Sequence, residues 1–199
     1  MRSFLLSTLI IAGVAFGSAA YAQEASTDTA EDADSQFNIG EAVTETVGQP
    51  YIREEFGDWA LRCIRAPEGQ DDPCNLYQLL TNDEGVPVAE FNLFQLPAGG
   101  QAVAGANIVV PLETFLPQQL TISVDGQNAR RYPYTFCNRA GCVARVGFTQ
   151  AEVDQFKAGA NASVRIVPAA APESEVLLNV SLSGFTAGYD STADTAPQE

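Results

Sequence analysis

The chain has 199 residues with 25 acids against 10 bases, a formal charge of −15, and no histidine. That acidity disfavours nucleic acid as a partner, because binding it relies on Lys and Arg to neutralise phosphates. The missing histidine excludes Ser-His-Asp and Cys-His catalysis and any histidine-bearing metal site.

In chain order, residues 1–22 read as a signal peptide. Arg2 gives the positive start, Phe4 to Phe16 an apolar stretch, and Ala20-Tyr21-Ala22 a cleavage tripeptide, so the mature chain is expected to begin after Ala22. No later apolar run is long enough for a transmembrane span. Residues 23–50 form an acidic spacer expected to be disordered, with Glu24, Asp28, Glu31, Asp32, Asp34, Glu41 and Glu45 and no base. Residues 51–188 are then one β domain, and 189–199 a disordered acidic tail. Within the domain, short runs alternate between apolar and polar residues and are separated by turn signals, the pattern of an antiparallel all-β protein.

The predicted strands start with Trp59 to Ile64, where Trp59, Leu61 and Cys63 share one face. Cys74 to Leu80, Val86 to Leu96 and Ala104 to Leu112 follow. Leu120 to Val124 runs into Asp125-Gly126, a hairpin turn signal, and Arg130 to Cys137 returns. Cys142 to Phe148, Ser163 to Val167 and Val176 to Phe185 bring the total to about nine. One short helix is expected near 149–158, with Thr149 and Glu152 forming a capping box, Val153 and Phe156 on one face, and Gly159 as a stop. The predicted fold is an antiparallel β-sandwich.

Four cysteines behind an export signal point to disulfides. Cys137 and Cys142 flank a four-residue hairpin loop, and Cys63 and Cys74 a Pro/Gly/Asp-rich one, so pairing 63–74 and 137–142 is preferred among the three possible connectivities. A four-thiolate zinc site is disfavoured by spacing, and a redox role by the lack of Cys-x-x-Cys. No metal or cofactor is therefore expected. Calcium ligands at Glu31-Asp32-Ala33-Asp34 or Asp71-Asp72 match neither an EF-hand loop nor an RTX repeat and read as solvated charge. A Ser–Lys dyad would have to use Lys157, the only lysine, at the solvated end of the helix. No carboxylate pair stands out for glycoside chemistry, so no catalytic residues and no enzyme activity are expected. The best binding-surface candidate is the arginine- and tyrosine-rich run Arg130, Arg131, Tyr132, Tyr134, Arg139 and Arg145, which offers charge and stacking to an anionic or carbohydrate partner.

Gly57-Asp58-Trp59-Ala60-Leu61-Arg62-Cys63, Cys74-Asn75-Leu76-Tyr77-Gln78, Tyr134-Thr135-Phe136-Cys137 with Gly141-Cys142-Val143-Ala144, and Ser181-Leu182-Ser183-Gly184-Phe185 together resemble the motifs of the invasion-associated locus B family. The match runs from about Phe56 to Gly188 and uses all four cysteines. The resemblance implies an exported, all-β, disulfide-containing envelope protein of Gram-negative bacteria, in the periplasm, at the outer envelope or secreted. Some relatives are linked to host-cell entry, and no catalytic residues carry over. The acidic spacer and tail lie outside the pattern. The expected role is a non-enzymatic binding module for an envelope or cell-surface partner, protein or carbohydrate. A structural or stress-related periplasmic domain is the alternative, and an enzyme acting on envelope glycans the third reading.

Overall fold

A computed structural model describes residue 40 and residues 46–195 of the chain. The predicted signal peptide and most of the acidic spacer lie outside the described residues. Among the described residues, eleven strands build two antiparallel sheets. They are β1 (Pro50–Phe56), β2 (Trp59–Ile64), β3 (Cys74–Thr81), β4 (Pro87–Gln95), β5 (Ala104–Val110), β6 (Leu120–Val124), β7 (Gln127–Tyr132), β8 (Tyr134–Asn138), β9 (Gly141–Phe148), β10 (Asn161–Ile166) and β11 (Val176–Ser181). The larger sheet runs β1-β2-β3-β4-β5-β9-β8 and the smaller β11-β10-β6-β7. Helices α1 (Gln150–Ala158) and α2 (Phe185–Ser191) complete the fold, the latter continued by a 3-10 turn over Thr192–Thr195.

Alternation places one side of each sheet in the core. The large sheet contributes Trp59, Leu76, Leu80, Phe91, Leu93, Ile108, Val146 and Phe148, and the small one Leu120, Ile122, Val164, Leu178 and Val180. Helix α1 adds Val153 and Phe156, whose ring lies 5.2 Å from Phe148 and 5.3 Å from Phe185. Its start is the predicted capping box: Glu152 Oε2 accepts from the Thr149 backbone N–H at 2.8 Å, and Thr149 Oγ1 accepts from the Glu152 N–H. At the β6–β7 hairpin, Asp125 and Gly126 have φ of 48° and 70°, the twist a two-residue turn needs.

The β-sandwich expectation holds, with four corrections. Strand β1 went unread because most of its side chains are exposed, so it lacks the apolar alternation that marks a half-buried strand; backbone pairing to β2 holds it. The predicted strand Arg130–Cys137 is two strands in different sheets, split at Pro133, which has no N–H to continue a ladder. The last predicted strand stops at Ser181, and Phe185 opens a helix. The tail predicted disordered from residue 189 is helical to Thr195, with Tyr189 and Thr192 buried. Its polar composition hid the Phe185/Tyr189 pair, one helical turn apart, which stacks at 5.8 Å and anchors it.

Candidate functional site

Three of the four family-like motifs meet in space, and the node they build there is structural. Ser181, at the end of β11, accepts at its carbonyl from Trp59 Nε1 (2.7 Å) and Gln78 Nε2 (3.0 Å), while its N–H donates to Gln78 Oε1 at 2.9 Å. Gln78 Nε2 also reaches the Asp58 carbonyl at 3.3 Å, and Ser181 Oγ donates to Asp58 Oδ2 at 2.5 Å. Gly184 sits at φ 81°, where a Cβ would come within 2.0 Å of the Phe56 carbonyl oxygen, so only glycine lets the two chain segments meet. This node clamps the large sheet to the small one.

The cysteines pair as expected, Cys63 with Cys74 and Cys137 with Cys142. Each pair occupies directly opposed positions, on β2–β3 and β8–β9.

The predicted arginine–tyrosine patch is dispersed. Arg130 bonds the buried Glu152 at 2.8 Å, and Tyr132 donates to the same carboxylate at 3.4 Å. Burial, then the Glu152 charge, pushes the Tyr132 phenol up to about 12. Tyr134 packs on the core, burial raises it to about 12 as well, and its enclosed hydroxyl has no partner among the described residues. Arg131 is exposed on β7 and Arg139 in the β8–β9 turn. Arg130 and Tyr132 border a small cleft beside Glu152 and Phe156, and Arg145 lines a much larger concave site.

That site is the outer face of the large sheet, where a hollow of about 470 Å³ is lined by residues from β2, β3, β4, β5, β8 and β9. The register aligns a polar row across it: Arg62 opposite Asn75, Asn92 opposite Asn107, and Asn107 opposite Arg145. Asn92 is buried and its carboxamide makes three hydrogen bonds. Its Oδ1 accepts from Arg62 and, at 3.0 Å, from Asn75, while its Nδ2 donates to the Asn107 carbonyl at 3.3 Å. Arg62 also lies 4.0 Å above the Tyr77 ring and 3.5 Å from Glu90. Apolar walls surround this floor, from Ile64, Phe94, Val109, Val143 and Phe136, with Ile64 46% and Phe136 42% exposed. Arg145 stacks at 5.5 Å on Phe136 and has no ion pair among the described residues. A second hollow of about 330 Å³ adjoins it through Glu90 and Val109 and is lined by Leu79, Val88 and Pro111. The disulfides brace the two ends: Cys74 lines the first hollow itself, and Phe136 and Val143 stand next to Cys137 and Cys142.

Sequence reasoning missed Arg62, Asn75, Asn92 and Asn107. Each occupies a polar position of a strand, and only the register between strands shows that they form one row. Asp72, weighed with Asp71 as a cation ligand, is taken up in a loop: it accepts from Ala66 N–H at 2.7 Å and Tyr51 Oη at 2.5 Å and faces Arg53 and Arg65. The Ala66 hydrogen bond, then that of Tyr51, lowers its pKa. Among the described residues, no group of three His, Cys, Asp or Glu side chains is placed to hold a metal ion, and no helix is long and apolar enough to cross a membrane.

These features define a two-sheet β protein with two disulfides, a clamped core and an open concave face. The chain belongs to the invasion associated locus B (IalB) protein family, whose model matches residues 59–193. Its fold is that of a crystal structure of invasion associated protein b from Bartonella henselae, at a TM-score of 0.60 and 24% identity over 71% of this chain and 94% of that one. No curated protein sequence matches it. Family and disulfides together make it an extracytoplasmic protein.

Proposed function

We propose that this protein is exported by cleavage near Ala22 to the periplasm or outer envelope of a Gram-negative cell. There it acts as a non-enzymatic binding module, with the outer face of the large sheet engaging an envelope or cell-surface partner. The observation that carries this is the preorganised groove: its floor is locked by the Asn92 hydrogen bonds, while apolar walls and the Arg145 guanidinium stay open to solvent. A contiguous exposed apolar surface with a polar centre is the mark of an interaction site.

The test is a quantitative pull-down from envelope extracts with the full chain and a groove-filled Val109→Arg variant. A saturable partner retained by the first and lost by the second supports the reading. The alternative is a structural domain with no specific ligand, favoured by the motif residues Trp59, Gln78 and Ser181 serving the clamp. Equal recovery by both proteins, or none, selects it. Turnover of isolated envelope glycans that survives Val109→Arg would replace both with an enzyme.

A further inference from the structure

We infer that the groove takes a peptide segment of a protein partner in which a carboxylate neighbours aliphatic side chains; this rests on the outer face being the binding face. Asn92 is buried and its carboxamide is held by its neighbours, so the central polar group of the floor is not free for the hydroxyls of a neutral sugar. What remains open is mostly apolar: Ile64, Phe94, Val109 and Phe136 in the first hollow, and Leu79, Val88 and Pro111 in the second. Such walls take up aliphatic side chains by removing their surface from water.

Charge then fixes which group goes where. Arg62 is committed to Glu90 and Asn92, whereas Arg145 has no acidic partner among the described residues and stands exposed on β9. On a chain of formal charge −15, an unpaired guanidinium inside a groove is a local attractor for one anion at short range, since salt screens the distant negative charge beyond about 8 Å. Arginine further suits a carboxylate because its forked donors can grip both oxygens. Glu90, shared by the two hollows, repels a carboxylate there. The segment's acid therefore lies at the Arg145 end, and the side chain seated in the second hollow is uncharged or basic.

Selection from a display library of random twelve-residue peptides tests this, using the full chain, Arg145→Glu and Val109→Arg, each checked for native circular dichroism. The expected winners on the full chain carry Asp or Glu beside Leu, Ile or Val. In fluorescence polarisation those peptides lose at least about tenfold in affinity on Arg145→Glu, the scale of one charge-assisted hydrogen bond, and bind Val109→Arg undetectably. Winners that bind all three proteins alike remove both the peptide and the binding face. Winners lost on Val109→Arg but lacking the acidic–aliphatic pattern overturn the peptide chemistry and leave the face standing. So does an acidic glycan, from a panel run in parallel, that binds where no peptide is enriched and is lost on Val109→Arg.

Discussion

Gln78→Leu removes the centre of the clamp while keeping a side chain of similar reach. Gln78 is 6% exposed and makes three hydrogen bonds, of 2.9, 3.0 and 3.3 Å, to the Ser181 backbone and the Asp58 carbonyl. Each is worth about 0.5–1.5 kcal/mol net, and a backbone donor left unsatisfied in the interior costs about 1–3 kcal/mol. The buried leucine returns part of this through its apolar surface, which leaves a loss of about 3 kcal/mol. For a domain of this size that corresponds to a fall in Tm of roughly 6–12 °C. Urea unfolding followed by Trp59 fluorescence measures it, because the only tryptophan shares the Ser181 carbonyl with Gln78. The midpoint should fall with an unchanged slope. The exposed control Gln127→Leu should stay within about 0.5 kcal/mol of the parent. A loss below about 1 kcal/mol for Gln78→Leu would refute the clamp, since Ser181 would then be satisfied without it.

Removing the disulfides should destabilise more for the longer loop: with separations of 11 and 5 residues, Cys63→Ala/Cys74→Ala costs about 3 kcal/mol and Cys137→Ala/Cys142→Ala about 2 kcal/mol in non-reducing urea titrations. Tyr132 and Tyr134, raised from 10.0 to about 12, release their protons more readily in the unfolded chain. Their contribution to stability is therefore full below pH 10 and falls as pH rises toward 12, and absorbance at 295 nm should show Tyr132 and Tyr134 ionising late, along with Tyr77 and Tyr189, which burial also raises. Tyr134→Phe removes an enclosed hydroxyl without a partner and should leave stability unchanged or raise it by up to about 1 kcal/mol in the same titration. Asp72 has a folded pKa lowered from 3.8, so its contribution is complete above that value and lost as pH falls through the lowered one. Asp72→Asn should accordingly flatten the acid limb of a stability–pH curve.

The sequence made the inner half of the domain legible. Trp59/Leu61/Cys63 and Leu76/Gln78/Leu80 read as strands because their alternation reports burial on one side. The cysteine pairs read correctly because each closes a short hairpin, and the capping box at Thr149 and Glu152 is a local signal. What escaped depends on nonlocal arrangement. Strand β1 has no buried stripe to announce it. Pro133 divides a run of arginines and tyrosines that looks continuous in one dimension between two sheets. The groove floor needs Arg62, Asn75, Asn92, Asn107 and Arg145, contributed by five strands, to be aligned by register. Gln78 and Ser181 were visible as motif residues, but their contact spans 103 positions.

That span has a consequence for the order in which the molecule can be completed. Trp59 and Gln78 emerge from the ribosome, or from any channel threaded N-terminus first, more than a hundred residues ahead of Ser181. At about 5–20 residues per second the clamp lacks its second half for roughly 5–20 s. Throughout that interval the hydrogen bonds of Trp59 and Gln78 that tie the large sheet to β11 cannot form. Closure comes last, when the C-terminal helix arrives, so a chain cut short before Ser181 would carry every cysteine and most of its core yet never latch shut.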